Sequence, residues 1–234
     1  MVIPLGDENP SNMPQAWMTQ ALIVLNLVAF AFEILQGPGL QQLITTFGVL
    51  PIEYLHGFDI PPLHGWPFWI TQFTALFLHA GWLHLIFNML FLGIFGDNVE
   101  FAMGSLRFLV FYLLCGVLAT WAHIVFNWQS VIPSLGASGA IAGVLAGYVL
   151  LYPRNRVRVL VFMGVMELPA IFVLGFWFLV QLMSGLLSLV EPASTAQTGG
   201  IAYMAHLGGF MAGLVLTPFF AGRRPQKQPR AYSG

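Results

Sequence analysis

The sequence predicts an all-α membrane protein: a bundle of six transmembrane helices with an interfacial first loop. Three observations predict it. The 234-residue chain is 58% hydrophobic and only 7% charged, whereas a soluble domain carries about a quarter charged residues. Six apolar runs approach the ~20 residues that a membrane-crossing helix needs. All eight Lys and Arg residues fall in three places that six spans would put on one side of the bilayer.

Taken in order, the N-terminal stretch "MVIPLGDENPSNMPQ" has neither a basic n-region nor an early apolar run. It is not expected to be a cleavable signal peptide, and residues 1–16 read as a short cytoplasmic segment. The first span is 17–36. Residues 37–72, with "GPGL" and "DIPPLHGWPFW", are too interrupted for a straight span and too apolar for a free loop. They read as an element lying partly in the bilayer. The remaining spans are 79–96, 106–126, 136–152, 169–190 and 201–221, so the membrane domain is 17–221. "RVRVLVFMGVM", ahead of Glu167 and Pro169, reads as a stretch at the membrane surface. Residues 222–234 form a basic cytoplasmic tail expected to be disordered. Cys115 is the single cysteine, so no internal disulfide is possible.

Charge sets the orientation. Arg107 falls between the second and third spans; Arg154, Arg156 and Arg158 fall between the fourth and fifth; Arg223, Arg224, Lys227 and Arg230 lie in the tail. By the positive-inside rule that side is the cytoplasm. The expected placement is a multi-pass protein of the cell (inner) membrane with both termini cytoplasmic.

Orientation fixes the depth of the polar residues. Ser138, in "SLGASGAIAGVLAGY", precedes Arg154 by sixteen residues, which places it about 24 Å above the basic cluster. His206 precedes Arg223 by seventeen residues, about 25 Å on the same scale. The two share a level in the outer part of the bilayer. Gly139, Gly143 and Gly147 form an i, i+4 stripe on the fourth span, and Ala205, Gly209 and Gly213 form another on the sixth. Small-xxx-small faces let membrane helices approach closely, as a short serine and a histidine need if they are to meet. Alone, Ser138 reads as plain packing with its hydroxyl bonded to its own helix; His206 at matching depth opens a nucleophile-and-base reading. His84 and Asn88, in "HAGWLHLIFNMLF", share one face of the second span. They read either as interhelical glue or as donors aimed at a developing oxyanion. Asp97, Glu100 and Glu167 lie toward the basic ends of their helices, and Glu33 and Glu191 carry no motif, so a Ser–His dyad is expected rather than a triad. His123 on the third span is a rival base without a small-residue face.

These residues resemble the rhomboid family of intramembrane serine proteases. "GASGA" resembles the GxSG nucleophile motif, "AHLGGFMAG" the AHxxG motif of the sixth helix, and "HAGWLHLIFN" the HxxxN motif of the second. "GDNVEFAMGSLRF" resembles the Glu-and-Gly segment that follows it. The resemblance covers roughly residues 60–220. It implies a rhomboid-like six-helix bundle with Ser138 as nucleophile and His206 as general base. It also implies oxyanion stabilisation by His84, Asn88 and the Ser138 N–H, and a lateral gate made by residues 169–190 and about 191–200. Two positions depart from the family pattern. Trp69 is followed by Ile70 where many members have arginine, and Ala142 stands where some have a tyrosine stacked on the base. His206 must then be held by packing or by another partner.

The expected function is an intramembrane serine endopeptidase that cleaves transmembrane segments through an acyl-enzyme; the alternative is a catalytically inactive rhomboid-like factor that binds membrane proteins. A transporter would need a central ionisable pathway or inverted repeats, and neither is visible. The expected partners are transmembrane protein substrates and the lipid bilayer, with no nucleic acid. No cofactor is expected, and no metal: His56, His64 and His79 form no H-x₃-H pair with a carboxylate. Trp66, Trp69 and Trp82 suit the outer aromatic belt.

Overall fold

The computed structural model of the chain describes residues 2–9, 13–57, 67–161, 164–190 and 202–222. It is a helical bundle closed at one end by a small sheet. β1 (Val2–Asp7) precedes the long apolar α1 (Trp17–Leu35). Two short helices follow, α2 (Leu40–Phe47) and α3 (Pro51–His56), then the single turn α4 (Thr71–Thr74). The bundle continues with α5 (Trp82–Met103), α6 (Ser105–Phe126) and α7 (Ser138–Leu151). After β2 (Arg156–Val161) and β3 (Gly164–Pro169) come α8 (Ala170–Val190) and α9 (Tyr203–Phe220).

Among the described residues five helices, α1, α5, α6, α8 and α9, are long and apolar enough to cross a membrane. The sixth apolar helix, α7, has 14 residues and reaches only about 21 Å, short of a hydrocarbon core of ~30 Å. It is also the best enclosed: every residue from Gly139 to Tyr148 is buried, packed among α5, α6, α8 and α9. α5 begins three residues later and ends seven later than its predicted span, because Asp97 and Glu100 are accommodated inside the helix. Glu100 accepts the Met18 and Thr19 backbone N–H groups (3.0 and 2.7 Å) and the Thr19 hydroxyl (2.8 Å), and Ser105 Oγ lies 2.5 Å from it. One buried carboxylate thus satisfies free donors at the start of α1 and faces the start of α6, where the helix dipoles favour negative charge. Gly104, with φ +84°, makes the one-residue link from α5 to α6 in a conformation that only glycine adopts cheaply.

The glycine stripes pack as their spacing predicts. A Cβ added to Gly209 would run into the Gly139 carbonyl, and one added to Gly213 into the Gly143 carbonyl. α7 and α9 are therefore in backbone contact. α9 is equally tight against α6, where a Cβ on Gly208 would meet Ala122.

The membrane bundle is all-α, as expected; beside it stands a small sheet, and the 156–161 stretch expected at the membrane surface forms one of its strands. β2 pairs antiparallel with both β1 and β3. Its alternation buries Val157 and Val159 and exposes Arg156 and Arg158, as a strand with one covered face requires. Pairing with β2 carries Asp7 to the base of the bundle. There its carboxylate accepts hydrogen bonds from the Tyr148 hydroxyl and from Asn98 Nδ2 (2.8 Å).

Candidate active site

Ser138 is the first residue of α7. Its approach is fixed by a pinned loop: Val49 and Ser134 exchange backbone hydrogen bonds, and Gly136 N–H donates to Ala75 O at 2.8 Å. The first i→i−4 bond at this end runs from Ile141 N–H to Ala137 O, so the Ser138 N–H is one of the helix's free N-terminal donors.

His206 lies in the first turn of α9, 8% exposed. Its Nε2 is 2.8 Å from Ser138 Oγ. The predicted pair therefore meets, at the level where the two glycine-lined helices touch. Nδ1 of His206 lies 2.7 Å from Gln181 Oε1 on α8, and the Trp177 ring packs against the imidazole with centroids 5.9 Å apart. Sequence reasoning missed both residues. The available signal was the single amide of an otherwise apolar span, one helical turn from a tryptophan.

His84 and Asn88 project from α5 toward the same place. His84 Nδ1 accepts the Ala80 N–H at 3.4 Å, which leaves the ring proton on Nε2. That edge faces Gly136: a Cβ there would lie 2.7 Å from His84 Nε2 and 3.8 Å from Asn88 Nδ2. With φ +117° and the ring against it, Gly136 has room for no side chain. Asn88 is 6% exposed, and its Nδ2 has no hydrogen-bond partner among the described residues. A buried donor without an acceptor costs stability. A cavity of about 20 Å³ opens beside Ser138, lined among others by Thr120, Ser134, Gly136 and Gly139; it has room for one water.

The other candidates lie elsewhere. His123 Nδ1 lies 3.4 Å from Asn127 Nδ2 on its own helix. His56 packs on Trp128, and His79 Nδ1 is 3.2 Å from the Phe77 carbonyl. Glu33 accepts the His79 backbone N–H, Asp97 accepts from Asn9, and Glu167 pairs with Arg156 at 3.6 Å. Glu191, His64 and Trp66 lie outside the described residues. Among the described residues no group of three or more His, Cys, Asp or Glu is placed to hold a metal ion.

A family model described as the rhomboid domain matches residues 67–223, about two thirds of the chain. The chain belongs to the rhomboid family. It is 32% identical over 159 residues to the chloroplastic rhomboid-like protein 11 of Arabidopsis thaliana, covering 65% of this chain and 53% of that protein. It is 36% identical over 149 residues to the rhomboid protease GluP of Bacillus subtilis, covering 63% and 26%. With the mitochondrial rhomboid protein 1 of Saccharomyces cerevisiae the identity is 31% over 165 residues, covering 68% and 44%. The matched region of this rhomboid thus spans between about a quarter and about half of these relatives. The match takes in α5 to α9 and leaves out β1, α1 and most of the first loop. All the residues around Ser138 named above except Val49 fall inside it.

Proposed function

We propose that this rhomboid is a serine endopeptidase that cuts transmembrane segments of other membrane proteins within the bilayer. The observation that carries the reading is the 2.8 Å contact between His206 Nε2 and Ser138 Oγ, inside a domain shared with a relative named as a protease. Ser138 Oγ attacks the scissile carbonyl carbon while His206 Nε2 takes its proton. The carbonyl oxygen becomes an oxyanion, received by Asn88 Nδ2, His84 Nε2–H and the Ser138 N–H. The intermediate collapses, the C–N bond breaks, and His206 returns the proton to the departing amine. A water then gives a proton to His206 and its hydroxide to the acyl carbon; the C–Oγ bond breaks, His206 returns that proton to Ser138 Oγ, and the acid is released. The cavity beside Ser138 is where that water would wait.

The basic residues support an orientation with Arg107, Arg154 and both termini cytoplasmic, in the cell (inner) membrane. In this reading α7 completes six spans, residues 37–72 lie in the outer interface, and residues 17–221 form the membrane domain between the N-terminal segment 1–16 and the basic tail 222–234. A fluorophosphonate probe tests the chemistry. It labels the wild type and not Ser138→Ala, and Ser138→Ala cuts no transmembrane substrate. An unlabelled, well-folded wild type would favour a binding factor without catalysis.

A further inference from the structure

What orients His206 is the open question at this site. None of the carboxylates whose partners are described above bonds to it, and the residue one turn after the serine is Ala142. Its second nitrogen instead meets Gln181 Oε1 at 2.7 Å. An amide oxygen only accepts, so Nδ1 carries the ring proton and Nε2 is left bare to face Ser138. If the ring held its proton on Nε2 it would present N–H to the serine and could take nothing from it.

The helix that supplies Gln181 matters as much as the amide. Trp177, Gln181 and Gly185 follow at i, i+4 intervals and share one face. Trp177 packs on His206, and a Cβ on Gly185 would lie 3.1 Å from Leu207. Phe178 stacks on Phe210 with centroids 4.5 Å apart. Yet only 22% of the α8 span is buried, against 44–50% for α5, α6 and α9.

We propose that Gln181 is a positioning residue for the Ser138–His206 dyad: it accepts the Nδ1–H of His206, fixes the tautomer that leaves Nε2 free for the serine proton, and does so from the least embedded helix of the bundle. The inference rests on the reading of Ser138 and His206 as a dyad. A neutral amide fixes the ring without adding charge. A carboxylate at the same place would fix it and also favour imidazolium, and that difference makes the role measurable.

The experiment measures the rate of fluorophosphonate labelling against pH for the full chain in detergent micelles, with thermal unfolding in the same micelles. Wild type, Gln181→Leu and Gln181→Glu are compared, with Ser138→Ala as blank. Gln181→Leu should slow labelling at least about tenfold without a matching loss of thermal stability, because ring orientation is lost. Gln181→Glu should label at a rate near wild type on the alkaline side. Its acidic limb should move upward by about one to three pH units, the effect of an opposite charge within hydrogen-bond reach. A wild type that does not label overturns the dyad itself. A wild type that labels, with Gln181→Glu following the wild-type profile, overturns the positioning role. That arm decides the matter even if Gln181→Leu fails to fold.

Discussion

Asn88 holds its amide nitrogen in a buried position with no hydrogen-bond partner among the described residues. Such a group destabilises the resting protein by about 1–3 kcal/mol, and a developing oxyanion would relieve that cost. Asn88→Leu should therefore leave thermal stability unchanged or raised, while turnover at saturating substrate falls on the order of 10–10³-fold. A variant that loses stability and activity together, with wild-type turnover by the folded fraction, would make Asn88 structural glue instead. Ser138→Ala and His206→Ala should each abolish cleavage, with the double variant no worse, since members of one catalytic unit are not additive. Retained cleavage in His206→Ala would remove the base. At this scale the sequence was most informative where polar atoms are costly in lipid. The meeting of Ser138 and His206 could be read from depth and spacing, and the structure sets the two 2.8 Å apart. Gln181 could not: a single amide in an apolar helix carries no spacing pattern, and its meaning appears only when α8 is placed beside α9.

Between elements, glycine sets the distances on which the site depends. The Gly139–Gly209 crossing brings two backbones together, and Ser138 and His206 sit at the same crossing. Gly209→Ala should cost about 1–3 kcal/mol of stability by overpacking and should slow cleavage more than the folded fraction explains, because α9 is pushed away from Ser138. An unchanged rate per folded molecule would show that the dyad tolerates the wider crossing. Glu100 plays the corresponding part at the opposite end, holding α1 against α5. The stripes were legible because small residues repeat at a helical period. The extent of α5 was not, because hydropathy ends a span at its first charges, and here those charges are satisfied within the bundle.

For the whole molecule, the sheet ties the N-terminal segment to the bundle through Asp7. Burial pushes the Asp7 carboxyl up to about 7, with the charges of Asp97 and Glu8 adding to the shift and the Tyr148 hydrogen bond opposing it. A carboxyl raised above its unfolded value, ~4, favours the folded state most when protonated. Its contribution is full below pH ~4 and lost as pH rises through about 7. Stability should therefore fall between about pH 4 and 7 by an increment that Asp7→Asn removes; equal slopes in the two proteins would show that Asp7 does not titrate there. The sheet itself was hidden from the sequence by its scale. Six-residue strands vanish inside twenty-residue hydropathy windows, and the partner of β2 lies at the far end of the chain.

That distance bears on how the chain folds. Val2 pairs with Val161, whereas β2 and β3 are neighbours in sequence. Closing a loop of that length in a free chain costs about 4–5 kcal/mol of entropy, more than two short strands return. The β2–β3 hairpin can form as it is made. β1 should gain its place only after the helices between have assembled and brought residues 2–7 beside β2. Its amides should exchange with solvent earlier than those of the hairpin, by a local opening that leaves the dyad intact. In a folding time course β1 should be the last element to become protected, arriving after the helices that carry Ser138 and His206 have met.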